Sequence, residues 1–424
     1  MTRIEIGSAS DDPRVPDRPL MSDHNLSARV WASAAILSVP LLSTLGVGWW
    51  LPVHLAMLGA ASQAIVGGQL MFTTTLGLSR GPARSRTLMQ LGLLNVGATL
   101  VVGGRVWGWT DVLAAGALIF IATTCWVTWQ VHSYWRRSIN RRFSITGTFY
   151  RLAGLSIILG ASIGGALGIG AIDYPAFYLA HRSLHMTLNV LGWAGLTIVG
   201  TAITLLPTVL HVRAPKLLTI RGVPWLMFGG LMVLSTGASA DAAPVAVAGM
   251  ALYVAGLIVF AIYVRQILVI PRRRKVPTAA LHLISALAWC GVTSLALTAS
   301  FARSDPSLAR DVLVVGGAGG FVFQAIIGAW SFLLPSTRAP IPERRRRELT
   351  AMELLGRPQV VAYNAGLVAI IVGLRTDIDI SLLGNILAWI AAAWAIAKSW
   401  SFPRLGTLPS VRRRSEHWWA PPES

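Results

Sequence analysis

Apolar residues run through this chain in long unbroken stretches, and polar residues gather in short clusters between them. The stretches are too long for buried strands and match the roughly 20 residues that an α-helix needs to cross a bilayer. Twelve spans are predicted, at 30–47, 51–78, 88–104, 110–131, 150–171, 184–210, 223–240, 244–264, 278–300, 312–334, 359–374 and 381–398. The expected fold class is all-α integral membrane.

The stretches also repeat one another. Ile65-Val66-Gly67 leads to Leu78-Ser79-Arg80-Gly81-Pro82. Ile198-Val199-Gly200 leads through Leu206-Pro207-Thr208 to Arg213-Ala214-Pro215. Ile326-Ile327-Gly328 leads through Leu334-Pro335-Ser336-Thr337 to Arg338-Ala339-Pro340. The starts lie 133 residues apart (198 minus 65) and then 128 apart (326 minus 198), a period that accommodates four membrane helices and their connections. The twelve helices therefore group into three pseudo-symmetric four-helix arcs, over about 30–148, 149–275 and 276–400, within one membrane domain at 30–398. Residues 1–29 are polar, carry no cleavable signal and are expected to form a disordered cytoplasmic tail; 399–424 form a second, basic tail.

Composition agrees: 54% of residues are hydrophobic and 12% charged. The net charge of +19 could suggest nucleic acid, but its distribution follows the spans. Of 36 Lys and Arg, 31 fall on the face that bears the N-terminus, leaving Arg105, Arg182, Arg303, Arg310 and Arg375 opposite. By the positive-inside rule both termini are cytoplasmic, in the cell inner or plasma membrane. The charge is a topology signal, and the run Arg344-Arg345-Arg346-Arg347 suits anionic lipid in the bilayer.

Phosphate loops, nucleophile elbows, zincin motifs and dinucleotide fingerprints are absent. The spans hold almost no carboxylates, which counts against an ordinary ion-coupled transporter. Cys125 and Cys290 fall inside spans, so neither a disulfide nor a thiolate–metal site is expected. The histidines say more. His24 and His417 lie in the expected tails, and His132, His211 and His282 at cytoplasmic span ends. His54, His181 and His185 lie on the outer side, with His54 and His185 opening corresponding spans of the first two repeats. Aligned on Gly59 and Gly192, His54 meets Thr187, and His185 lies two residues earlier. Neutral imidazole is a good ligand for haem iron or copper; the alternative is that these rings cap helix ends beside Trp49, Trp50 and Tyr178. Many of the 17 tryptophans form an interfacial belt, whereas Trp193, Trp289, Trp330, Trp389 and Trp394 lie inside spans and could wall a macrocycle.

The run from His185 through Trp193 to Gly200, Leu206-Pro207-Thr208, His54-Leu55 with Leu58-Gly59, and Gly328 to Pro335 resemble subunit I of the haem–copper oxidases. The closer likeness is to NnrS-type haem and copper membrane proteins, and to the membrane part of actinobacterial copper oxidase fusions. The resemblance spans about Trp31 to Lys398. It implies that His54 stands where a low-spin haem takes an axial ligand, and that His185 stands near a copper ligand. It departs elsewhere: 223–240 and 312–334 hold none of the histidines of an oxygen-reducing centre, and no tyrosine matches the cross-linked one. A complete oxidase is not expected. The leading expectation is a membrane protein of respiratory or nitric-oxide metabolism binding haem b or copper through His54 and His185, with His181 auxiliary. It would serve an extracytoplasmic cupredoxin-type or respiratory partner. The alternatives are a permease for an uncharged small molecule, using polar groups such as Gln63, Gln69, Asn95, Gln324 and Asn385, or a scaffold for assembly.

Overall fold

The computed structural model describes residues 21–41, 48–79, 81–140, 142–271, 275–339, 341–376, 378 and 380–405. Among them every regular element is helical. Eleven helices are long and apolar enough to cross a membrane, as a polytopic membrane protein requires. They are α2 (Trp50–Gly77), α3 (Arg84–Trp107), α4 (Thr110–Arg136), α5 (Ser144–Gly168), α6 (Phe177–Val209) and α7 (Val223–Ser239). The series continues with α8 (Ala243–Leu268), α9 (Thr278–Arg303), α10 (Pro306–Arg338), α12 (Gly356–Arg375) and α13 (Ser381–Leu405). Predicted spans two to twelve each fall on one of these helices. A short helix, α11 (Pro342–Met352), carries the four-arginine run at its exposed N-terminal end.

The first predicted span needs correction. Its helix, α1, is Met21–Ser38, shifted towards the N-terminus, so residues 21–29 belong to the fold and not to a tail. Residues 42–47 of that span, and His417, lie outside the described residues. The shift has a physical cause. The polar side chains of α1 are buried against polar partners: His24 Nδ1 pairs with Gln63 Oε1 at 2.7 Å, and Trp330 donates to Asn25 at 3.1 Å. Arg29 donates to the Ser399 carbonyl at 2.9 Å and lies 4.1 Å from the centre of the Trp400 ring. His24 is thus fully buried, not solvent-exposed.

Three helices are more enclosed than the others. In α2, α6 and α10, 67%, 83% and 78% of the membrane window is buried, against at most 50% elsewhere. These three touch one another, and neighbouring outer helices pack in the order α1, α3, α4, α5, α7, α8, α9, α12, α13 and back to α1. The result is a closed ring of nine helices around a hub of three.

The hub helices are the three that carry the sequence repeat, and all three contain a π-helical stretch: Leu55–Ala61, Leu188–Gly195 and Val312–Phe323. The π stretches end 134 residues apart (195 minus 61) and then 128 apart (323 minus 195), close to the repeat spacing. Each hub helix also presents two glycines at which the first outer helix of its repeat approaches closely. Trp31 and His24 lie on Gly59 and Gly67, Ser156 and Phe149 on Gly192 and Gly200, and Trp289 and His282 on Gly320 and Gly328. Small residues let helices approach where lipid supplies no hydrophobic drive between them. The bracing hydrogen bonds repeat too: Trp31 donates to Asn95 and Trp289 to Asn364, both at 2.7 Å.

Candidate site between the first and second repeats

A cavity of about 420 Å³ opens among α2, α3, α4, α5, α6 and α10, at the end of the molecule that is poor in arginine. That volume falls within the range of small-molecule and cofactor sites. Its walls are mostly apolar, with Leu58, Phe120, Ile157 and Trp193 among them, and its lining contains no carboxylate. Arg105, Arg182 and Arg310 are its charged members. Arg310 bonds to buried Asp311 at 2.8 Å, and Arg375 reaches the same carboxylate at 3.5 Å.

His54 and His185 both face this space. Their ring centroids lie 6.3 Å apart and their planes differ by 8°. Each ring is held through Nδ1: His54 bonds to the Trp50 carbonyl and His185 to the Gly160 carbonyl, both at 2.8 Å. A carbonyl only accepts, so Nδ1 carries the proton in both rings and Nε2 keeps its lone pair. Asn189 Nδ2 also lies 3.1 Å from His185 Nδ1, but with that nitrogen donating to Gly160 the amide's bond is the one to the His185 carbonyl, at 2.6 Å. Metal-binding histidines are commonly fixed in this way, by a carbonyl on the far nitrogen.

Local structure explains the placement. The His54 ring stacks on Trp50, one turn earlier, with centroids 4.0 Å apart and planes at 19°. The π stretch of α2 starts immediately after His54, and that of α6 starts three residues after His185. On α5, Gly160, Gly164 and Gly168 share one helix face, and a Cβ on Gly164 would land on the His185 ring. That glycine face leaves room for the imidazole.

Of the three histidines expected at a metal site, two come together. His181 does not join them: it is outside the cavity lining, bonds to the Phe177 carbonyl at 2.8 Å and stacks on Phe177. His181 lies one turn before His185, but its ring stacks on Phe177 while Tyr178, Arg182 and His185 line the cavity. Trp193 does wall the cavity; Trp289 and Trp330 instead brace helices through Asn364 and Asn25. Sequence reasoning missed Trp50, Asn189 and the glycine face of α5. All three were signalled by spacing, since Trp50 and Asn189 each lie four residues from a histidine and the glycines recur every four.

Among the described residues, no group of three or more His, Cys, Asp and Glu side chains is placed to hold a bare metal ion. The polar side chains expected to line a permeation path are instead engaged. Gln63 pairs with His24, Gln69 with Thr197, Asn95 with Trp31, Gln324 with His282, and Asn385 with the Ser381 carbonyl. No protein-family model matches the chain, and no curated protein matches it.

Proposed function

We propose that this is a membrane haem b protein of respiratory or nitric-oxide-related electron transfer, in which His54 and His185 would hold the haem. The observation that carries the reading is the pair of near-parallel imidazoles, 6.3 Å apart, each bonded through Nδ1 to a backbone carbonyl and each lining a cavity of about 420 Å³. Neutral imidazoles suit haem iron, and a macrocycle supplies nitrogen donors of its own, so two protein ligands would suffice to hold it. A copper ion would need further ligands, which favours haem over copper here.

A bound haem b supplies reversible one-electron exchange at its iron. The chain does the rest. The Trp50 and Gly160 carbonyls fix the ring orientations, and Asn189 ties the turn that bears His185. Phe120, Ile157, Leu313 and Trp193 exclude water, while Arg105, Arg182 and Arg310 would take the carboxylates of the macrocycle. In this reading α1 is the twelfth span, the helices form three arcs of four, and both termini face the cytoplasm of a plasma-membrane protein. The cavity then opens on the outer side, where a cupredoxin-type or respiratory partner would exchange electrons.

The test is a dithionite-reduced minus oxidised spectrum of detergent-purified protein from haem- and copper-replete cells, with metal analysis. A Soret band with b-type α and β bands is expected, lost or shifted in His54→Ala and His185→Ala. A colourless preparation, or copper without a Soret band, overturns the reading.

A further inference from the structure

The two candidate ligands have unequal surroundings. His185 has the Gly160 carbonyl, Gly164 and Asn189 against its ring. His54 has an aromatic neighbour instead: the Trp50 indole lies 4.0 Å from it, almost parallel. Trp50 is the first residue of α2, partly exposed, and follows a turn whose Trp49 is 52% exposed. Besides the two imidazoles themselves, Trp50 has the one aromatic ring stacked on either candidate ligand among the described residues. A continuous π contact thus leads from the cavity to the molecular surface at the arginine-poor end.

We infer that Trp50 is the electron-exchange route between this site and a water-soluble one-electron carrier on the arginine-poor face. The inference rests on the haem reading above and adds to it the route through a named side chain. The exchange is a single-electron transfer. The reduced site loses one electron, the carrier gains it, and no bond forms or breaks. Trp50 acts through His54: its indole shortens the gap that the electron must cross without filled orbitals, while its backbone carbonyl holds the ring. The carbonyl survives any side-chain change and a stacked ring survives in Trp50→Phe, so the two roles are separable by substitution.

The protein would be reconstituted with haem into vesicles, its orientation read by protease access to the termini, and reduced. Ferricyanide, which does not cross the bilayer, would then be added outside. Rapid oxidation is expected in vesicles whose arginine-poor face is outward, and slow oxidation in the opposite orientation. Trp50→Leu should slow it at least several-fold, and Trp50→Phe, which keeps a stacked ring, should slow it less. Trp50→Phe, which keeps a ring stacked on His54, should match wild type in the reduced-minus-oxidised spectrum and the low-spin electron paramagnetic resonance signal, which a misplaced His54 would not allow. Wild-type rates in Trp50→Leu, or oxidation only from the arginine-rich face, overturn the inference. A wild-type preparation without a Soret band would instead remove the haem reading beneath it.

Discussion

At the scale of residues, the repeat contains its own comparison. His24 is the α1 residue that Gly67 meets and Gln63 lies four residues before that glycine, and His282 and Gln324 occupy the same places around Gly328. In the second repeat these places are held by Phe149 and Leu196. The fold therefore accepts either a hydrogen-bonded His–Gln pair or an apolar one. The imidazole Nε2 atoms of His24 and His282 are buried without a partner. Removing one member of such a pair leaves the other unsatisfied, at about 1–3 kcal/mol, whereas exchanging both for apolar groups of similar volume costs less than about 1.5 kcal/mol. His24→Ala is thus expected to lower the unfolding temperature in detergent clearly. The double variant His24→Phe with Gln63→Leu should stay near wild type; a double variant as unstable as His24→Ala would refute the equivalence. The sequence disclosed the repeated glycines but not these pairs. A lone histidine in a polar N-terminal stretch looks solvated until the partner helix is known, which is why α1 was expected about nine residues too late.

At the scale of elements, spans two to twelve were legible because hydrophobic length is a local property. The π stretches were not. A π turn leaves no distinctive composition, and it shifts the helix face by the extra residue it contains. The stretch in α2 lies between His54 and Gly67, which docks on α1, so it sets where His54 points relative to that packed contact. Deleting Ala60 should return this segment to α-helix and rotate everything before it by about 100°, one residue of helical turn. The expected outcome is a folded, monodisperse protein that has lost the absorbance assigned to the His54–His185 pair. Unaltered absorbance would mean that the π stretch does not aim the histidine. The glycine face of α5 was visible in the sequence, but only the fold shows that it faces His185 and not lipid.

For the whole molecule, the ring closes where the first and last helices meet: Arg29 bonds to the Ser399 carbonyl, Trp389 donates to the Ile36 carbonyl, and Trp400 donates to Ser33. This joins α1 to α13 across nearly the full length of the chain, and the two termini are expected on one face of the membrane. Reporter fusions active only in the cytoplasm, placed at each terminus in turn, should both report activity. Activity at one terminus alone would leave α1 outside the bilayer and the count of spans at eleven. The arginine distribution is the sequence signal behind that expectation. It could not reveal that one of the seams between repeats is hollow, since a cavity arises from several helices that each look ordinary alone.

The three π stretches have a historical consequence as well. Such a stretch is what an α-helix becomes when one residue is inserted into it without breaking the helix. Here it recurs at the same distance from the same glycine, to within a residue, in all three hub helices. One insertion in a four-helix unit that was then repeated is the simplest account of all three copies. The histidine pair occupies a single seam, so the bulge that the three helices share does not of itself bring histidines with it.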